Sequence, residues 1–410
     1  MRPAPISSNW RWTLIIIALC GSIAYGFVFG RSYSDLHPIW TATHAALHGG
    51  DPYSSALADQ ERVRFHAAVI GNTPYDLRFA YPFPSIFLFA PLALFSFEHA
   101  RVAYTVIGLL LTVLSVKWWT GEFRLDVVLL VLASRPVMLG ISSQQPTVLF
   151  AALLAAAFAC MRSQRSVTAG VLLGLVVAKP QLLLFVAAPV CIWVLQDWRK
   201  RRALPLAFIA TSAALTLAAF ALQPHWFSGW LVAVRAYSAY AGDSIPMLLF
   251  GHRIGLAVSV VLAVIGTLAI WRLRSQLTEV LAVSITTALA VLPFQPYNAM
   301  LLIPPAVLLF HKASGKPSLP ELISRLSLIE MWAFPVVAIL IELRFSSTGP
   351  FLYRIEAGLM EVVVFAVLAA IWERSYIKSP EQAIAPSSTR SSDIPSSPPE
   401  QGTLDWQTIP

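Results

Sequence analysis

The chain has 410 residues, 57% of them hydrophobic and 12% charged, with a mean hydropathy of +0.67. Charged residues at about half their usual share exclude a water-soluble globule, a disordered chain and a coiled coil. The net charge of +8 would favour nucleic acid in a soluble protein, but the cations cluster at the ends of apolar blocks, as in a polytopic membrane protein, and no nucleic-acid partner is expected.

A helical crossing needs about 20 predominantly apolar residues. In chain order the candidate spans are 12–30, 102–118, 125–141, 146–161, 166–178, 181–196, 203–221, 253–271, 278–292, 299–311, 328–343 and 355–371, about twelve in all. Arg2 and Arg11 precede the first of them without a clean cleavage site before Gly30, so it reads as a retained span. Cys20, Cys160 and Cys191 lie inside apolar segments and read as small buried side chains. The stretch Pro84–Phe97 is apolar but short and interrupted by Pro84 and Pro91; the preferred topology has it dip in without crossing, and the rival has it cross while 166–196 merges into one kinked helix. The pair 166–178 and 181–196 hinges at Lys179-Pro180. This arrangement puts both termini in the cytoplasm, with the Lys and Arg clusters at 117–124, 162–165, 199–202, 272–274 and 312–316 on that side.

The fold class that follows is an all-α polytopic membrane domain over 1–376 with two long outside loops, about 31–84 and 222–252. A Ser/Pro-rich tail, 377–410, reads as disordered and cytoplasmic. The first loop is aromatic-rich, and a loop of that length in a compact protein is functional more often than idle.

That loop opens Tyr33-Ser34-Asp35-Leu36-His37 directly after the first span and closes on Phe79-Ala80-Tyr81-Pro82. Asp35 stands level with the membrane surface, placed either to meet a lipid headgroup or to cap a helix over Leu36–Leu47. His44 and His48 are spaced i,i+4, but no dedicated third ligand accompanies them, so no metal is expected. Asp51-Pro52 reads as a turn. Lys179, between Ala178 and Pro180, is a cation at membrane depth, a costly placement that marks a functional candidate suited to a phosphate. Arg135 invites the same argument, or pairs with Asp126 or Glu122. Gln145 and the run Gln295, Pro296, Tyr297, Asn298 fall at outside ends and offer uncharged groups for sugar hydroxyls. In the second loop Trp226, Trp230, Tyr237 and Tyr240 form either an interfacial belt or a wall over a site.

Taken together these segments resemble a known family. The early aspartate, Gly50-Asp51-Pro52-Tyr53, Tyr81-Pro82 running into Ala90-Pro91-Leu92-Ala93, Gln145-Pro146-Thr147, and Gly170 to Gly174 leading to Lys179-Pro180 are similar to glycosyltransferase family 87. This is the polyprenol-phosphate-mannose-dependent alpha-mannosyltransferase-like family of the GT-C fold. The likeness runs over most of residues 30–310. It departs in the late loop, where Pro293–Asn298 holds neither the tryptophan nor the histidine common in the family.

The resemblance implies a GT-C-like bundle in a bacterial-type cell (inner) membrane with an extracytoplasmic active site. It implies inverting transfer of a hexose, mannose by family habit, from a polyprenyl-phosphate-linked donor to a glycolipid or glycan acceptor. Asp35 would be the general base, Lys179 the phosphate contact, and Gln145, His37, Tyr81, Gln295, Tyr297 and Asn298 substrate contacts. No cofactor or metal is implied, and membrane lipids are the other partners. A transporter or flippase of a lipid-linked or small polar substrate is the alternative from a different class. It would not need the aspartate-bearing loop.

Overall fold

The structure is a computed structural model that describes residues 8–30, 34–68, 78–241, 243–293 and 295–303, with 322, 331–333 and 337. The regular structure of the described residues is helical, apart from one isolated bridge between Ser244 and Pro293. The helices are α1 (Ser8–Gly30), α2 (Leu36–Leu47), α3 (Ser55–Ala68), α4 (Pro84–Ala93), α5 (Phe97–Thr120), α6 (Leu125–Leu132), α7 (Arg135–Ser142), α8 (Thr147–Arg162) and α9 (Ser166–Leu175). They continue as α10 (Gln181–Leu184), α11 (Ala187–Gln196), α12 (Trp198–Arg201), α13 (Ala203–Leu222), α14 (Trp226–Ala241), α15 (Ile245–Phe250), α16 (His252–Arg272) and α17 (Leu277–Val291). Single 3₁₀ segments cover Val176–Ala178 and Pro296–Leu302.

Among the described residues, three stretches are long and apolar enough to cross a bilayer alone: Phe97–Thr120, Trp198–Leu222 and His252–Arg272. The expected span 125–141 is two helices, α6 and α7, meeting at 66°. Its break has a local cause, because Ser134 is extended (ψ 136°) and Pro136 starts a new helix where its missing N–H costs nothing. The expected pair 166–178 and 181–196 breaks further, into α9, a 3₁₀ turn, α10 and α11. α4 has only ten residues, about 15 Å of helix. The expected span 355–371, most of 299–311 and of 328–343, and the tail 377–410 lie outside the described residues.

Packing depends on close approach between helices. A Cβ on Gly170 would meet Leu204 O at 2.3 Å and Ala207 Cβ at 2.8 Å, and one on Gly174 would meet Thr211 Cβ at 2.6 Å. α9 therefore lies directly against α13, the small-residue contact that membrane helices favour. On the other side α9 runs antiparallel to α8, and α8 packs on α5. Outward faces are strongly apolar: Leu14, Ile16 and Ile17 on α1, Leu206 and Leu217 on α13, and Ile254, Val260 and Val264 on α16 are all exposed. In water such a surface would aggregate; in lipid it is the expected boundary.

A second core joins the two segments expected to be long loops. Leu36, Ile39 and Ala42 of α2, Tyr53 just before α3, Phe79, Phe83, Ile86 and Phe89 of the α4 region, and Trp226 and Ala233 of α14 form one buried cluster with Tyr104 of α5. Both segments are thus folded helices packed on each other over one end of α5. The opposite end is marked by Arg162, whose guanidinium donates to the carbonyls of Trp118 and Trp119 (2.9 Å for Trp119).

Candidate active site

Asp35 occupies the N-cap position of α2, yet its side chain makes no capping hydrogen bond. Its carboxylate Oδ2 instead accepts from the amide Nε2 of Gln145, and its backbone N–H donates to Ser143 O at 2.8 Å. Of the two readings of Asp35, the helix cap is therefore not the one its geometry serves. The partner turn, between α7 and α8, is tightly wound: Gln144 has φ +52°, and Gln145 N–H donates to Gly140 O at 2.7 Å. Tyr104 Oη donates to Gln145 O at 3.0 Å and ties this turn to α5.

Lys179 follows the 3₁₀ turn that ends α9, in an extended conformation (φ −137°, ψ 74°) set by Pro180. It is 3% exposed, and its neighbours Gln145 and Thr147 are 2% and 0% exposed. Lys179 Nζ donates to Thr147 Oγ1, which in turn donates to Asn298 Oδ1 at 3.3 Å. The ammonium lies 5.8 Å from the centroid of the Tyr81 ring and 5.7 Å from that of Tyr297, a cation between two π faces.

Asp35 is within electrostatic reach of Lys179, Tyr81, Tyr237 and Tyr297. Burial, reinforced by Tyr237, Asp35 and Tyr104, pushes the Tyr81 phenol well above its ordinary value of 10.0. Burial likewise raises Tyr237, opposed by its hydrogen bond with Tyr297 and assisted by Asp35. Both phenols stay neutral at physiological pH, so they can donate hydrogen bonds but do not serve as bases. One carboxylate and one lysine, with neutral phenols beside them, thus come together at the Tyr104 end of α5.

The model of one protein family, glycosyltransferase family 87, matches residues 79–305, more than half of the chain. The chain belongs to glycosyltransferase family 87. It is therefore a membrane glycosyltransferase. No curated protein matches it significantly.

Of the residues singled out in this family 87 member's sequence, Asp35, Gln145, Lys179, Tyr81, Tyr297 and Asn298 come together. His37 does not join them. Its Nδ1 is 2.8 Å from Glu61 Oε1, its ring packs edge-on against Phe97 at 4.5 Å, and Thr41 Oγ1 donates to the same Glu61 oxygen at 2.9 Å. That cluster joins α2 to α3. Gln295 contributes its backbone carbonyl to Asn298 N–H at 2.8 Å, with no side-chain hydrogen bond among the described residues. His44 and His48 stack at 4.3 Å on the exposed face of α2. No group of three or more His, Cys, Asp or Glu side chains gathers among the described residues. At the other end, Asp126 pairs with Arg124 at 2.9 Å, and Arg135 is buried at the start of α7.

Thr147 and Glu61 carry no site signal in the sequence, whereas Tyr237 belongs to the expected belt or wall of the second loop. Thr147 is a neutral hydroxyl in an apolar run, and only its place two residues after Gln145 signals it. Tyr237 was legible: Trp226, Trp230, Ala233 and Tyr237 recur at i, i+4, i+7 and i+11, one face of a helix. Glu61 sits in a polar stretch where nothing distinguishes it from the solvent-facing Asp59.

Proposed function

We propose that this glycosyltransferase moves a hexose, mannose by family resemblance, from a polyprenyl-phosphate-linked donor to a hydroxyl of a glycolipid or glycan acceptor, with inversion. The reaction takes place on the extracytoplasmic face of the cell membrane. Asp35 removes the proton of the attacking acceptor hydroxyl while the new C1–O bond forms. The bond from C1 to the phosphate oxygen breaks with its electron pair, and the lipid phosphate leaves. Lys179, held by Thr147 between Tyr81 and Tyr297, faces the charge that gathers on that phosphate. A positioned base contributes about 10²–10⁴-fold, and a preorganised cation at the leaving group a comparable factor.

The observation that carries this reading is the geometry of Asp35: a carboxylate at a helix start that leaves the helix uncapped and turns to a buried amide near a buried lysine. Asp35→Asn in reconstituted protein should abolish transfer from polyprenyl-phosphate-mannose while the protein stays monodisperse. Retained transfer overturns the assignment. The transporter reading finds no comparable support, because it requires neither the family membership nor a carboxylate held in this way.

A further inference from the structure

We propose that Gln145 is the positioning residue of Asp35, its amide holding the carboxylate ionised and aimed; the inference rests on the role given to Asp35 above. Gln145 is buried, and its two amide atoms are treated very differently by the fold. Nε2 donates to Asp35 Oδ2, whereas Oε1 is buried with no hydrogen-bond partner. An unpaired buried acceptor is destabilising, and a methionine or leucine would fill the same space without it. Packing alone therefore does not account for a glutamine here. The orientation of the amide is also fixed, since reversing it would set Oε1 against the Asp35 carboxylate.

The surrounding backbone serves this one contact. Gln144 takes the left-handed conformation, φ +52°, that turns Gln145 inward. Gly140 O and Tyr104 Oη then fix the Gln145 main chain at 2.7 and 3.0 Å. Asp35 is locked to the same turn through its own N–H and Ser143 O at 2.8 Å. Base and amide thus ride on a common turn and cannot drift apart independently. Titratable groups acting with Asp35 include Lys179 from the α9–α10 break, Tyr81 from the chain before α4, Tyr237 from α14 and Tyr297 from the 3₁₀ segment. A hydrogen bond to the ionised form favours that form, so Gln145 lowers the cost of keeping Asp35 charged in this enclosed place.

The test reads Asp35 without needing a substrate. Dicyclohexylcarbodiimide reacts with protonated carboxyl groups, and peptide mass spectrometry of the full-length protein in detergent gives the pH of half-labelling at Asp35. In Gln145→Met this pH should rise by about one unit, equivalent to about tenfold faster labelling at a fixed pH above it. Gln145→Glu, which sets a second carboxylate beside the first, should raise it at least as far. Gln144→Asn, whose parent amide donates to backbone carbonyls and not to Asp35, should leave it unchanged. Thermal melting and gel filtration check folding, and if Gln145→Met does not fold, Gln145→Glu decides alone. An unmoved half-labelling pH in a folded variant overturns the positioning role even with Asp35→Asn inactive. An active Asp35→Asn instead overturns the base assignment, whatever the labelling shows.

Discussion

At the scale of single residues, the site places a carboxylate and a lysine inside a largely apolar protein, within electrostatic reach of one another. Lys179 donates to a hydroxyl and lies between two ring faces, and Asp35 accepts from an amide. Lys179→Met should therefore cost about 10²–10³ in kcat with little loss of folding, checked by initial rates of sugar transfer alongside a melting curve. Tyr81→Phe keeps the ring face and removes only the hydroxyl. Because the phenol is raised above 10.0 in the folded state, its neutral form contributes fully below that pH, and the contribution is lost only as pH rises beyond it. The alkaline limb of the pH–rate profile between about pH 7 and 9 should accordingly coincide for Tyr81→Phe and the parent protein. The charged pair was legible in the sequence because a lysine in an apolar run and an aspartate at a span's end are costly and so conspicuous. Thr147 and Gln145's grip on Asp35 were not, since neutral polar groups cost little to bury once paired and leave no mark in composition.

At the scale of helices, the site is made from ends and breaks. The start of α2, the α7–α8 turn, the 3₁₀ turn after α9 and the segment Pro296–Leu302 each deliver one part. Broken helices are only half legible: Pro180 announces its hinge, whereas the 66° bend between α6 and α7 falls inside one candidate span because the apolar residues run on past Arg135-Pro136. Hydropathy reports that a segment is buried and says little about its direction. In the two long loops, α2 coincides with the helix expected over Leu36–Leu47, whereas α14 is hidden for the converse reason, since an amphipathic segment of 16 residues resembles loop in a hydropathy profile. What aims Lys179 is α9, and what fixes α9 is its contact with α13. Gly170→Ala would force its Cβ into the backbone of Leu204, which can yield only by separating the helices. The expected cost is about 1–3 kcal/mol, seen as a lower Tm, with transfer activity falling more than for an equally destabilising change elsewhere.

At the scale of the whole molecule, the site and the Arg162 cluster occupy opposite ends of α5 and α8, separated by about 24 Å of α8. If the proposed orientation holds, a membrane-impermeant maleimide should label His48→Cys in intact cells of a cysteine-free background, and Ser163→Cys only after permeabilisation. The reverse pattern would place the chemistry in the cytoplasm. The burial of Lys179 also bears on how such a chain is made. A lysine at membrane depth is costly to insert alone, by about 2.5–3.5 kcal/mol on insertion scales. Asp35, Tyr81 and Thr147, which act on it, precede it in the sequence, and Tyr237, Tyr297 and Asn298 of the same cluster follow. During synthesis the lysine therefore emerges after part of its polar company, which can already receive this charge as it enters the bilayer.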